Sequence, residues 1–516
     1  MKARFFLLLS AGALALASAA SAAEPDGKAL FAANCATCHG MDLGGYIAPA
    51  LNRDSLQDRF NIDMLPAFIA GGVPNTLMPA WEGKLSPEEL QAIASYVLET
   101  PKQSVTWSIE DIRRSLEVYV ADEASLPAAP AYAIESIDDL MAVVARGRYS
   151  RDTSKVVFLN GATNDVVGEV AVDRAPHIVD FDPASDRWAY VKTDGGRLYK
   201  IDLYSMKAVR SVQVGYTGPS LAVSWDGRYV AAGSFVPNTA AILDAATLEP
   251  VKFLDLGGIN PDGKEVEADS GSITATPYGP YIAFTLEQAG QVWIVDTSRP
   301  DLPVTKITNV GRHLHDSYLS PDGRYMFVAA YDDNKIAVID FETKQKVRDI
   351  AAGCVPHTGS GAVYKTKAGR TLGVQTNFGS GKTCDKTVVT VFDVDSGEVV
   401  KQIPVTGGTE SPAAHPAAPY FVVDIISGDD VDKVTLINKE SLEVEKVLEV
   451  GGHAYFPEFT ARGDFLYVSA GYDGDKLVIF RSDTLERVKE IPMESPAGIF
   501  SHIRPKVRTV GLAPQD

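Results

Sequence analysis

Beyond its leader the chain has no long apolar run. No later stretch approaches the roughly 20 apolar residues that a membrane helix requires, so none reads as a span. A basic excess is also missing: 48 Lys and Arg stand against 67 Asp and Glu, a formal charge of -19. That balance excludes nucleic acid and anionic membrane as partners, because either would need a basic face to displace counterions. Cysteine is limited to four residues and histidine to eight, so each can be followed individually.

What is present begins with a leader. Lys2 and Arg4 precede the apolar run Phe5 to Ala17, and Ala20-Ser21-Ala22 is a small-residue cleavage site without a lipobox cysteine. Residues 1–22 therefore read as a secretory signal peptide, and the mature protein is expected to be periplasmic. A chain of 516 residues exceeds what one core usually holds, so two domains are expected.

Residues 23–102 carry a helical texture. Ser86 and Glu89 form a capping box ahead of an apolar-periodic segment, and "NCATCHG" supplies Cys35, Cys38 and His39. In Cys-x-x-Cys-His the two thiols add to haem vinyl groups and the histidine takes an axial iron site. A zinc or redox Cys-x-x-Cys would leave His39 unexplained. One covalent haem c follows, with Met78 of "NTLMPAW" as the second axial ligand; Met64 lies inside an apolar helical pattern and reads as core.

Residues 103–139 end in a Pro- and Ala-rich stretch and read as a linker. From residue 140 to 516 the texture changes to short β-branched runs between Asp-Gly and Asn-Gly turns. "SPDGRYMFVAAYDDNKIAVIDFETKQKVRDIAAG" and "SWDGRYVAAGSFVPNTAAILDAATLEPVKFLDLGG" are two copies of one unit, which recurs about eight times at a spacing of about 45 residues. The expected architecture is a small all-α cytochrome c domain followed by an all-β eight-bladed propeller. The first unit is short and could borrow a strand from the last; a seven-bladed ring with a divergent extra unit is the alternative.

Seven histidines fall in this region. His502 is in the C-terminal tail, while His177, His313, His315, His357, His415 and His453 lie close to unit boundaries, at the phase of the entry strands that would line the central channel. Any one of them could hold two blades together. Several at one phase point to a second metal cofactor. Cys354 and Cys384 form a disulfide candidate, with two buried thiols as the other reading.

With "MPAW", "APHIVDF", "HLHD" and "PHTGSGA" in this order, the chain resembles the cytochrome cd1 family over nearly its full mature length. The resemblance implies one non-covalent haem d1, or its dihydro precursor, in the propeller channel. It implies His177 as proximal ligand of that iron, His315 and His357 on the distal side with His357 a second candidate ligand, and Arg151 near the cofactor carboxylates. Members of the family reduce nitrite to nitric oxide, complete haem d1 synthesis by turning a propionate of dihydro-haem d1 into an acrylate, or carry haem d1.

The short distance from Ala22 to Cys35 leaves no room for the N-terminal arm of the reductases, and Asp194 stands where they tend to place an arginine, with Arg197 a nearby substitute. The expected activity is therefore the dehydrogenase, with nitrite reductase as the alternative and a carrier as a third. Electrons would pass to haem c and then to an external acceptor, a small periplasmic redox protein. A transient complex with nitrite reductase would deliver the product, and the protein would act as a monomer. His453 with Tyr455 is the candidate general base, His415 a weaker one; the same position also suits a histidine packed between blades.

Overall fold

The computed structural model describes residues 25–40, 43, 48, 51, 60–72, 78–101, 106–147, 153–379, 384–471, 474–507 and 511–512. The leader and Arg151 lie outside the described residues. Among those described, no helix is long and apolar enough to cross a membrane.

The N-terminal part is helical. Helix Gly27–Asn34 crosses helix Pro87–Glu99 closely enough that a Cβ on Gly27 would lie 2.1 Å from the Ala92 carbonyl oxygen, so glycine is required there. Phe31, Ile93, Ala94 and Val97 fill the contact. The Ser86 and Glu89 capping box forms as the sequence predicts. Met64 departs from expectation: it precedes helix Leu65–Gly71 and is 53% exposed, because the apolar face of that helix is carried by Leu65 and Ile69.

The segment expected to be a linker is docked along the propeller. A Ser108 and Asp111 capping box starts helix Ile109–Arg114, whose Ile112 is fully buried against Leu198, Val212 and Leu221. Glu117–Val118 then adds a fifth, outermost strand to a blade by pairing with Lys207–Gln213, and Glu123 bridges Lys200 and Arg210 at 2.9 and 3.0 Å. The apolar and charged positions before the Pro-rich stretch account for this; only the composition of its end is linker-like.

Eight antiparallel sheets of four or five strands form the propeller, which settles the blade count against seven. The expected strand exchange is present. The first blade comprises Leu140–Ala145, Lys155–Asn160 and Asp165–Ala171, and its innermost strand is Pro496–Ser501 from the far end of the chain. Pairing the two ends of the repeat region closes the ring and leaves only short sheet edges facing the channel. The "S-x-D-G-R-Y" signature has a local cause: Ser224 Oγ donates to Asp226 at 2.7 Å and accepts from the Tyr229 N–H, while Gly227 takes φ +68°. The same turn recurs at Ser320 to Tyr325.

Candidate functional site

From the second to the eighth, each blade begins with its innermost strand. His177 is the second residue of Pro176–Phe181, His315 of Leu314–Leu319 and His357 of Pro356–Lys365. The three share a backbone device. The residue two before each histidine, namely Ala175, His313 and Val355, has φ of 49°, 52° and 51°. A left-handed conformation at a β-branched valine is costly and persists only where the surroundings impose it, which is typical of functional sites. A register shift follows within each strand, and such bulges re-aim side chains.

His315 and His357 meet on one carboxylate. Asp316 Oδ1 is 2.9 Å from His315 Nδ1, and its Oδ2 is 3.1 Å from His357 Nε2. The imidazoles are 5.1 Å apart; His315 stacks on Tyr331 at 4.9 Å and His357 on Phe378 at 4.6 Å. Burial opposes charge on His315, but Asp316, Glu287 and Glu410 outweigh it and push its pKa up to about 9. Burial dominates at His357 and lowers it to about 4. Burial would raise Asp316, yet the two histidines hold it down at about 2. The mouth thus carries one imidazolium, one neutral imidazole and one carboxylate near neutral pH.

On the next blades Glu410 reaches the same cluster. Its Oε1 accepts from the Tyr455 hydroxyl at 2.6 Å and lies 3.8 Å from His357 Nε2. Burial, with Asp424 and Asp316 nearby, lifts Glu410 to about 8. Asp424, itself raised to about 6 by burial, accepts from the Glu410, Ser411 and Phe456 N–H groups and fixes this corner.

His177 faces Arg146, whose guanidinium is 2.7 Å from Nδ1 and pairs with the buried Asp194. Burial pushes His177 down to about 4, so its imidazole is neutral and able to bind a metal. The expected substitute, Arg197, is engaged elsewhere: it donates to Ser211 and pairs with Glu117 of the outermost strand at 3.3 Å. The arginine beside His177 is therefore Arg146.

The other histidines are placed differently. His453 Nε2 is 3.2 Å from the Ile426 carbonyl of the preceding blade, and it is Tyr455, two residues on, that reaches Glu410. His415 bonds the Ala461 carbonyl and the Ala417 N–H, and His502 the Asp186 carbonyl. His313 lies on the rim, 3.4 Å from Glu287. Asp316, Glu410 and Arg146 escaped the sequence reading. Asp316 carried a signal, since it directly follows His315; Glu410 carried none beyond a charge near a strand start, and Arg146 none beyond a charge just past a strand end.

Near the N-terminus Cys35 and Cys38 stand one turn apart as partly exposed thiols, with His39 ending helix Ala36–His39. Burial and then Cys38 raise the Cys35 thiol to about 11. Met78 is half-buried against the same core. Two thiols, an imidazole and a thioether around one small core fit a covalently held haem with His and Met axial ligands.

The profile of the Cytochrome D1 heme domain family matches residues 136–505. The chain belongs to that family. A second profile, the cbb3-type cytochrome c oxidase subunit III family, matches residues 22–97 of this cytochrome D1 member. The Dihydro-heme d1 dehydrogenase of Pseudomonas aeruginosa is 28% identical over 493 residues, 95% of this chain and 96% of that protein. The Nitrite reductase of Stutzerimonas stutzeri is 25% identical, covering 92% and 91%. The solved structure described as "Dihydro-heme d1 dehydrogenase NirN in complex with DHE" aligns with a TM-score of 0.73 at 28% identity, over 93% of this chain and 99% of that one.

Proposed function

We propose that this protein is a periplasmic oxidoreductase that completes haem d1, desaturating a propionate of dihydro-haem d1 to the acrylate. The reaction removes two protons and two electrons from a CH2–CH2 unit beside a carboxylate. In the propeller mouth His177 would offer a neutral imidazole to the substrate's iron, and His315 and His357 would contact the substrate as well. Glu410, once ionised, takes the proton next to the carboxylate, and the Tyr455 hydroxyl orients it. A carboxyl whose pKa lies near working pH is suited to that task, because it is both sufficiently ionised and sufficiently basic.

Cys35 and Cys38 would hold haem c covalently, with His39 and Met78 on its iron. When bound, that haem supplies a one-electron acceptor of raised potential. A small periplasmic redox protein would serve as the external electron acceptor.

One observation carries this reading: Tyr455 and Glu410, 2.6 Å apart, share the mouth with His357 and Asp316. The full-length likeness to a dehydrogenase, including one solved with its ligand, supports it. The test is anaerobic incubation of the haem c form with dihydro-haem d1, followed by extraction and mass measurement, with nitrite consumption followed in parallel. Loss of two hydrogens without nitrite turnover is expected. Unchanged tetrapyrrole with nitric oxide formation would replace the reading with nitrite reduction, and tight binding without either reaction would replace it with a carrier.

A further inference from the structure

At the strand ends opposite the mouth histidines, three segments far apart in sequence converge. Asp138 belongs to the short helix Ile137–Asp139 that leads into the first blade, and Asp186 to the turn between Pro176–Phe181 and Trp188–Thr193 in the second. His502 directly follows Pro496–Ser501, the strand that closes the ring. Together they offer one imidazole nitrogen and two carboxylate oxygens that all lie within 4.8 Å of one another.

The imidazole is what points to an ion. His502 is 3% exposed, and its ring is set edge-on against Phe181 at 5.1 Å. Its Nε2 is 3.2 Å from the Asp186 carbonyl oxygen, which can only accept, so the hydrogen of the neutral ring sits on Nε2. A ring N–H held by a backbone carbonyl is the usual support of a metal-ligating histidine. Nδ1 is left buried without a hydrogen-bond partner, 3.7 Å from Asp138 Oδ1, which is too long for a hydrogen bond. A buried lone pair facing a carboxylate calls for a cation between them.

Lys506 meets that demand only in part. Its ammonium pairs with Asp138 and, at 3.1 Å, with Asp186, but it satisfies no lone pair on Nδ1. Its side chain is 37% exposed on a flexible stem, so it can swing into solvent. Two carboxylates and one ammonium leave a net negative charge; two carboxylates and a divalent ion leave none.

We propose that Asp138, Asp186 and His502 form a zinc site that clasps the ring closure, with Lys506 as the ammonium that zinc displaces. One imidazole with two carboxylates is a nitrogen and oxygen set that suits zinc, whereas calcium and magnesium take oxygen alone. Bonds of about 2.0–2.2 Å would draw the ligand atoms together, and the two aspartates, 35% and 48% exposed, are free to move onto the fixed imidazole. Water fills the fourth position. The ion joins the lead-in of the first blade, the second blade and the closing strand, so it opposes opening of the ring. It takes no part in chemistry at the mouth and stands independently of the desaturation reading.

The test is a zinc titration of the full-length haem c protein, freed of loosely held metal by a chelator, read with a competing chromophoric chelator and by thermal unfolding. The parent should bind one zinc ion at this site and melt at higher temperature as zinc is raised. Asp186→Asn, in an exposed turn, and His502→Gln should each weaken that binding by at least about 100-fold and abolish the melting shift. Lys506→Met should tighten it by about fivefold, because the competing ion pair is gone. Zinc held equally by the parent and both ligand variants would sit on His315, Asp316 and His357 at the mouth and would overturn the clasp. A parent that binds no zinc at micromolar concentration would overturn it too, as would weaker binding in Lys506→Met.

Discussion

Tyr455 donates its hydroxyl hydrogen to Glu410 Oε1 at 2.6 Å, across the boundary between the seventh and eighth blades. Glu410 is raised to about 8, chiefly by burial and then by Asp424. A base must be ionised to act, so turnover should rise from pH 6 and level off above about pH 8. Glu410→Gln should remove that limb and cut kcat by about 10²-fold, with haem c spectra unchanged. A pH profile that is flat in the parent would exclude Glu410 as the acceptor.

The Tyr455 hydrogen bond favours the ionised form of Glu410. Tyr455→Phe should therefore move the pH limb upward and slow the reaction at pH 7, while turnover at high pH recovers in part. Equal slowing at every pH would mean that the hydroxyl acts on the substrate directly.

His177 is held neutral by burial and is backed by Arg146 and Asp194. His177→Ala should abolish tight binding of dihydro-haem d1 in spectral titration and leave the haem c bands untouched. Retained affinity would move the iron ligand to another blade.

The architecture was legible because each repeat carries its own turn chemistry and because Cys-x-x-Cys-His has few alternative uses. The phase of the histidines was legible for the same reason: His177, His315 and His357 occupy the same step of the repeat. What joins them was not. Glu410 enters the cluster only through the juxtaposition of the sixth to eighth blades, and Arg146 only because the first blade abuts the second. Contacts between repeats depend on ring closure, which local pattern does not encode. Met64 was misplaced because apolar spacing fixes a helix's period more firmly than its end.

Cys354 and Cys384 are bonded, with Cα atoms 5.8 Å apart and 30 residues between them in sequence. Closing a loop of that size removes chain entropy worth about 3–4 kcal/mol in the unfolded state. The double serine variant should unfold at lower denaturant with the cytochrome spectrum intact, and non-reduced peptide mapping of the parent should recover the joined pair. A midpoint unchanged by the double substitution would mean that native contacts already restrict the loop.

Asp138 precedes the first strand of the ring and His502 follows the strand that closes it, so their contact ties together the two ends of the propeller. His502, and after the opposing effect of burial also Lys506, hold the Asp138 carboxyl down from 3.8 to about 2. A folded-state value below the unfolded one means that the native state gains from the charged form above about pH 4 and loses that gain as pH falls through 2. Asp138→Asn should accordingly lower the melting temperature at pH 7, and its deficit against the parent should shrink steadily as the pH is brought from 5 toward 2. Because Asp138 is partly solvent-exposed, added salt should narrow the pH 7 gap as well. A deficit that stays constant with pH would show that the substitution acts through packing at the ring closure and not through its charge.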